Sequence, residues 1–260
     1  MTTQAHTSTP NITLYTSQTP NGIKISITLA ELSLLYTVRK IDTSTNEQKS
    51  PWFTAINPNG RIPALTDTHS DGETIRVFES GSIMQYLVDK YDTEHRISYP
   101  RGSREAIETT NWLFFQNAGV GPMQGQANHF TRYAGEDLPY AKQRYQDEVR
   151  RLYSVLEMHL SVTGNPYLVG EKCTIADIAH WGWVTLSRWA GVELSEFPTL
   201  KAWEERMFER PGVQEGRQVP GGGHQRELLQ DAEKVKQFEE RGRDFYRKQA
   251  EEGLMTKQGV

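Results

Sequence analysis

The sequence predicts a small α/β unit, then an all-helical domain. Two observations carry this. Short strand-like and helical runs alternate from Ile12 to about Lys90, and from Ser103 to Arg210 the apolar spacing is helical almost throughout. A chain of 260 residues suits one or two domains at roughly 100–200 residues each. The expected organisation is a Thr/Ser/Gln-rich disordered N-terminus over 1–11, an α/β domain over 12–92, a helical domain over 103–211 and a charged extension over 212–260.

Each element has a local reason. Asn11–Thr16 alternates Ile12 and Leu14 with polar residues and reads as a strand. Thr19-Pro20-Asn21-Gly22 is turn chemistry, and Pro20 suits a helix start, where its missing N–H costs nothing. The helix that follows carries Ile23, Ile27, Ala30 and Leu34. Tyr36–Ile41 is a second strand, with Tyr36 and Val38 on one face; Arg61–Thr66 leads into a third and Thr74–Phe78 is a fourth. Asp71-Gly72 signals a hairpin between the last two, and Glu79-Ser80 opens a helix with Ile83, Met84 and Leu87.

In the helical domain, Tyr145, Val149, Leu152, Leu156 and Leu160 form an amphipathic stripe. Thr174–Asp177 is a capping-box pattern ahead of Ile178, Ala179, Trp181, Trp183 and Val184, which are apolar nearly all round, so this helix belongs at the centre of the bundle. Leu200, Trp203 and Met207 mark a helix ending by Pro211. Beyond it, Leu228, Ala232, Val235 and Phe238 allow an amphipathic helix, but nine Lys/Arg and nine Asp/Glu from Val213 onward suit a solvated extension equally well.

Composition excludes several function classes. With 29 Lys+Arg against 33 Asp+Glu, the net charge of −4 argues against phosphate-dominated nucleic-acid binding. A single cysteine, Cys173, excludes an intrachain disulfide, a CxxC redox pair and a Cys-rich zinc site. His69, His95, His129, His159, His180 and His224 show no metal-ligand spacing, so no metal is expected. No apolar run is long enough to span a bilayer and Met1–Pro10 is polar, so a cytoplasmic protein without membrane contact is expected.

Three stretches hold candidate site residues. In Asn57–Leu65, Pro63 follows a Gly-containing turn and precedes a strand; it is a candidate cis residue, with an ordinary trans turn as the alternative. A cis bond there exposes the backbone of Ile62 to an extended, peptide-like ligand. Glu79-Ser80, at a helix start, serves either as a cap or as a holder for a ligand bearing both an ammonium and a carboxylate. Thr19 and Asn21 stand where a helix N-terminus favours negative charge and lowers a bound thiol's pKa; a plain turn is the alternative.

In their order along the chain, Thr19–Gly22, Asn57–Leu65, Phe78–Ile83 and Thr174–Asp177 resemble the cytosolic glutathione transferases, from about Ile12 to Pro211. Trp112–Gln116, Gly121–Gln126 and Arg144–Val149 are similar to one branch. It holds fungal transferases like the globular domain of the yeast nitrogen-regulation prion protein, together with the bacterial Nu class. The resemblance implies a thioredoxin-like N-terminal domain that binds glutathione as co-substrate, with oxidised glutathione also binding, followed by the helical domain. Ile62, ahead of a cis Pro63, would pair with the cysteinyl backbone, and Glu79 and Ser80 would hold the γ-glutamyl end. Gln48 and Arg61 lie where this branch contacts the tripeptide, Thr19 and Asn21 would address the sulfur, and Arg144 would reach the partner's site across a homodimer.

The activity so implied directs glutathione's thiolate at a small electrophile or disulfide, with the second substrate near Trp112, Phe115, Met123 and His129. Glutathione-dependent disulfide or peroxide reduction is the alternative within the family, and a non-catalytic regulatory binding protein the alternative outside catalysis. Better-known classes place a Tyr, Ser or Cys beside the thiol. Here Tyr15 lies inside the strand, Ser17 follows it and Cys173 is in the helical domain, so none of the three matches.

Overall fold

A computed structural model describes residues 11–222 and 225–258, without the side chains of Gln225, Leu228 and 249–258. Except for Asn11, the stretch expected to be disordered lies outside the described residues. In chain order the elements are β1 (Thr13–Thr16), α1 (Pro20–Glu31), β2 (Thr37–Lys40), α2 (Pro51–Thr54), β3 (Ala64–Thr68), β4 (Thr74–Phe78) and α3 (Ser80–Tyr91). There follow α4 (Arg104–Phe115), α5 (Gly121–Asn128), α6 (Pro139–Thr163), α7 (Ile175–Val184), α8 (Pro198–Phe208), α9 (Pro211–Gly216), α10 (Gln225–Leu228) and α11 (Ala232–Gln258). The described residues form two compact units: those up to Ile97 with Arg210–Gly222, and those from Ser98 to Glu209 with Gln225 onward.

In the first unit the sheet order is β2-β1-β3-β4. β1 runs parallel to β2, with Leu14 opposite Val38, and antiparallel to β3, with Leu14 opposite Leu65. β3 and β4 form the expected hairpin around Asp71-Gly72. This βαβαββα order is the expected thioredoxin-like arrangement. Leu14, Leu65, Ile25 and Leu87 are buried, so the sheet and helices share one core. β2 is an edge strand with all four residues exposed, so Val38 is 40% exposed rather than packed, and Tyr36 falls just outside the strand. α1 stops at Glu31 because the Leu32 N–H closes on Thr28 and Ala30 carbonyls and Ser33 turns left-handed, at φ 56°. Leu34, expected on the helix, therefore lies in the following loop.

The chain beyond Pro211 does not leave as a wholly solvated extension. α9 returns to the first unit and packs on α1, with Val213 fully buried and Arg210 making a two-pronged ion pair to Glu31 at 2.7 and 2.8 Å. Gly216 lies against the backbone of Ser26 and Ile27, and its carbonyl accepts from Ser26 Oγ at 2.7 Å. A Cβ at this position would strike the Ile27 backbone, which cannot yield as a flexible side chain would. Gly216→Ala is accordingly expected to cost about 1–3 kcal/mol of stability, readable as a lowered urea midpoint.

The second unit is helical throughout. All ten residues of α7 are buried, as its all-round apolar pattern predicts, and the Thr174/Asp177 capping box starts it. Cys173 is buried beside it, with its sulfur 3.7 Å from that of Met207. Two π-helical turns, Gln116–Val120 and His129–Tyr133, flank α5. The tail helix differs from the sequence expectation. Asp231 accepts from the Glu233 and Lys234 N–H groups and opens α11 afresh, so Leu228 ends α10 and does not continue the stripe; its side chain is outside the described residues. α11 packs on the second π-turn: Glu239 pairs with Arg132 at 2.9 Å, Phe238 meets Trp189, Tyr246 meets Tyr133, and Gly242 lies against the Tyr133 ring.

Candidate functional site

Most of the expected site residues come together in the first unit. The organiser is Asn57, buried, whose Nδ2 donates to the Arg61 carbonyl at 2.6 Å while its Oδ1 accepts from the Asn59 N–H at 3.0 Å. Its side chain thus closes the Asn57–Arg61 loop in the manner of an Asx turn. Gly60 adopts φ 59°, and a Cβ there would come within 2.9 Å of the Gln48 carbonyl, so the loop lies directly on Gln48. Ile62–Pro63 is cis, and the Ile62 side chain packs on Ile41, Phe53 and Ala64. Arg61 is exposed and, among the described residues, its guanidinium has no partner.

Gln48 is 4% exposed. Its Nε2 donates to Asn46 Oδ1 at 3.3 Å, while its Oε1 is buried without a hydrogen-bond partner among the described residues. Such an acceptor costs free energy unless something donates to it. Across the loop, Asn59 Nδ2 donates to Glu79 Oε1 at 3.4 Å. Glu79 has φ 69°, an uncommon left-handed backbone for a non-glycine residue, and its side chain does not cap α3. Ser80 follows as the first residue of α3, buried, at a helix N-terminus suited to anions.

Sequence reasoning missed Lys24. It sits on α1, 1% exposed, and its Nζ donates to Ser80 Oγ at 3.2 Å. Burial pulls its ammonium down to about 7, and the Glu79 carboxylate opposes that fall. The available signal was a lysine between Ile23 and Ile25 on a helix with an apolar stripe, where an unpaired charge is not tolerated.

Thr19 and Asn21 stand at the start of that same helix. Thr19 is the N-cap, its Oγ1 accepting from the Gly22 N–H at 3.0 Å, which leaves its own hydrogen to donate. Gly22 is required, since a Cβ there would strike the Ser17 carbonyl and Thr16 Oγ1. Asn21 is half-buried in the first turn. Tyr15 is taken up elsewhere, its ring against Trp52 and Phe53.

Arg144 is not part of this assembly. It lies on α6 in the second unit, exposed, with Glu148 as an ion partner at 3.8 Å. Of the residues expected near a second substrate, Trp112 packs on Phe115 and His159, and His129 is covered by Tyr246 of α11. Those rings already have partners inside their own unit. Among the described residues no group of His, Cys, Asp and Glu could hold a metal ion, and no helix is long and apolar enough to cross a membrane.

Residues 10–89 match the family model Glutathione S-transferase, N-terminal domain, and residues 109–211 match Glutathione S-transferase, C-terminal domain. The chain is 43% identical over 216 residues to the Glutathione S-transferase-like protein tpcF of Aspergillus fumigatus, covering 79% of this chain and 94% of that one. This chain is a member of the glutathione transferase family.

Within the family it falls in the branch of fungal Ure2-like and bacterial Nu-class proteins. The chain is 43% identical over 205 residues to the Disulfide-bond oxidoreductase YfcG of Escherichia coli, covering 78% of this chain and 92% of that one. A crystal structure of a glutathione transferase homolog from Lodderomyces elongisporus, with two GSH per subunit, superposes with TM-score 0.78 at 44% identity. That match covers 81% of this chain and 99% of the other. Thr19, Asn21, Lys24, Gln48, Arg61, Ile62, Pro63, Glu79 and Ser80 all fall within the N-terminal match, and Arg144 falls within the C-terminal one. α11 lies beyond both.

Proposed function

We propose that this chain is a glutathione transferase that binds glutathione in its first unit and directs the tripeptide's sulfur at a small electrophile or disulfide. The observation that carries this reading is the juxtaposition of an unpaired buried acceptor, Gln48 Oε1, with Glu79 and Ser80 around one loop. A ligand with a peptide backbone, an ammonium and a carboxylate matches those groups in kind. Gln48 Oε1 accepts an N–H, Glu79 takes the ammonium, Ser80 and the first amides of α3 take the carboxylate, and Ile62 offers its backbone. Arg61 presents a cation for a further carboxylate.

The chain contributes no thiol of its own here, since its single cysteine, Cys173, is buried in the second unit. When bound, glutathione supplies the sulfur. Against an aryl halide a C–S bond forms while halide and the thiol proton leave; against a disulfide two glutathiones give two thiols and glutathione disulfide. Thr19 and Asn21, at the positive end of α1, stabilise negative charge on that sulfur. Thr19→Ala with Asn21→Ala is expected to lower kcat at saturating glutathione about 100-fold, in line with the loss of oxyanion-type donors. Losing the Thr19 cap also costs about 1 kcal/mol, so unfolding curves accompany the kinetics. Unchanged turnover would show that these residues do not address the sulfur.

Disulfide reduction is the alternative reaction, supported by the 43% identity to a disulfide-bond oxidoreductase, which the identity to a transferase-like relative equals. Titrating reduced and oxidised glutathione separately, by intrinsic Trp fluorescence, tests the binding. Assaying one preparation with an aryl halide and with a small disulfide then separates conjugation from reduction. Absence of binding to either form sinks the proposal.

The active species is a homodimer in which Arg144 reaches the partner's site. Ile107 and Phe114 on α4 and Met158 and Val162 on α6 are apolar yet 56–80% exposed, and Arg144 projects from α6. Sedimentation of a monomer at assay concentrations would remove this assignment.

A further inference from the structure

Lys24 is an unusual buried group. It is 1% exposed on α1 between Ile23 and Ile25, both buried, and a lysine is rarely buried in such surroundings unless its charge is paired. Its Nζ lies 3.2 Å from Ser80 Oγ, and Glu79, next in the chain to Ser80, is the charge that acts on it. A serine hydroxyl has one hydrogen and two acceptor lone pairs. With an ammonium, which only donates, on one lone pair, the Ser80 hydroxyl keeps its own hydrogen to donate to another group.

We infer that Lys24 is a positioning residue for the carboxylate end of the ligand: it sets the Ser80 hydroxyl as a donor and places a cation beneath the first turn of α3. The inference rests on the glutathione reading of the site and deepens it, by naming what selects a γ-glutamyl terminus. Glu79 then supplies the negative charge for the ammonium and the Lys24–Ser80 pair supplies the donor for the carboxylate, side by side in sequence and in space. Neutral or N-terminally blocked peptides would satisfy only one half of this arrangement. Lys24 touches neither sulfur nor electrophile, so its effect falls on the binding of glutathione and leaves the chemical step alone.

The test compares wild type, Lys24→Met, Lys24→Arg, Ser80→Ala and the Lys24→Met/Ser80→Ala double variant. Isothermal calorimetry gives Kd for reduced glutathione, and steady-state rates are taken with a small disulfide. Lys24→Met is expected to weaken glutathione binding and raise its KM about 10–100-fold, the range for losing a charge-assisted hydrogen bond, while kcat at saturation stays within about threefold. Lys24→Arg, which keeps the charge and the donors, is expected to recover at least part of the loss. The double variant is expected to bind about as weakly as the worse single one, because both substitutions break one contact. Unfolding curves establish that each variant is folded before it is scored. If wild type binds glutathione and folded Lys24→Met binds it equally well, the positioning role is wrong and the glutathione reading survives. Equal loss in kcat and in kcat/KM, or fully additive single effects, also overturns it. If wild type binds no glutathione, both fall together.

Discussion

Asp177→Ala is expected to cost about 3–5 kcal/mol and shift the urea midpoint of unfolding sharply downward. The reason is the number of buried donors that converge on one carboxylate. Asp177 is fully buried at the start of α7, where Oδ1 accepts from the Leu168 N–H at 2.8 Å and Trp203 Nε1 at 2.9 Å. Oδ2 accepts from the Thr174 N–H at 2.9 Å and Thr174 Oγ1 at 3.0 Å. Burial pushes this carboxyl up and those donors pull it back. Removing the carboxylate leaves two backbone amides and an indole N–H buried without an acceptor. Each carries a desolvation cost that no water can repay in so tight a place. Asp177→Asn keeps the shape but turns an NH2 group toward donors, so it is expected to fall between Ala and wild type. A loss below about 1 kcal/mol for Asp177→Ala would mean that the site collapses or hydrates, contrary to its packing.

The second large effect has the opposite sign. Lys24→Met is expected to raise stability at pH 7 and below by roughly 4 kcal/mol, and the gain is expected to shrink as the pH rises toward 10.5. Burial holds the Lys24 ammonium at about 7 in the folded chain, against an ordinary value of 10.5. Between those two values the unfolded chain binds more protons at this position than the folded one, so wild-type stability rises with pH there. Below pH 7 both states are charged and the penalty is constant; above 10.5 both are neutral and it vanishes. The difference between variant and wild type in urea unfolding at pH 6.5 and pH 10 isolates Lys24 from every other titration. A gain that is equal at the two pH values would show that folding does not lower the Lys24 pKa. Stability gained together with glutathione affinity lost is the pattern of a group retained for binding.

Much of this was legible in the sequence, for a local physical reason. Thr19-Pro20-Asn21-Gly22 contains a cap, a fixed φ and a glycine where no Cβ fits, and it starts α1 as expected. Thr174–Asp177 forms its capping box, and the apolar run after it is buried on every side. Both depend on residues within one turn of each other, so short-range pattern suffices. The boundaries that shifted, at Leu34 and Tyr36, are where a left-handed Ser33 and an edge strand intervene.

What the sequence by itself determined is therefore the class of the two domains, their order, and the loop and helix starts that carry Asn57, Ile62, Glu79 and Ser80. Only the tertiary structure decided which of these meet. It brings Gln48 under Gly60, 12 residues away, and Lys24 to Ser80, 56 residues away. It also returns α9 from beyond residue 210 to close over α1. Such contacts are set by packing between elements distant along the chain, where neither periodicity nor turn chemistry has any reach. Lys24 shows this most plainly. In sequence it is one lysine on an apolar helix, and it becomes a group with a task only once α3 delivers Ser80 and Glu79 to it.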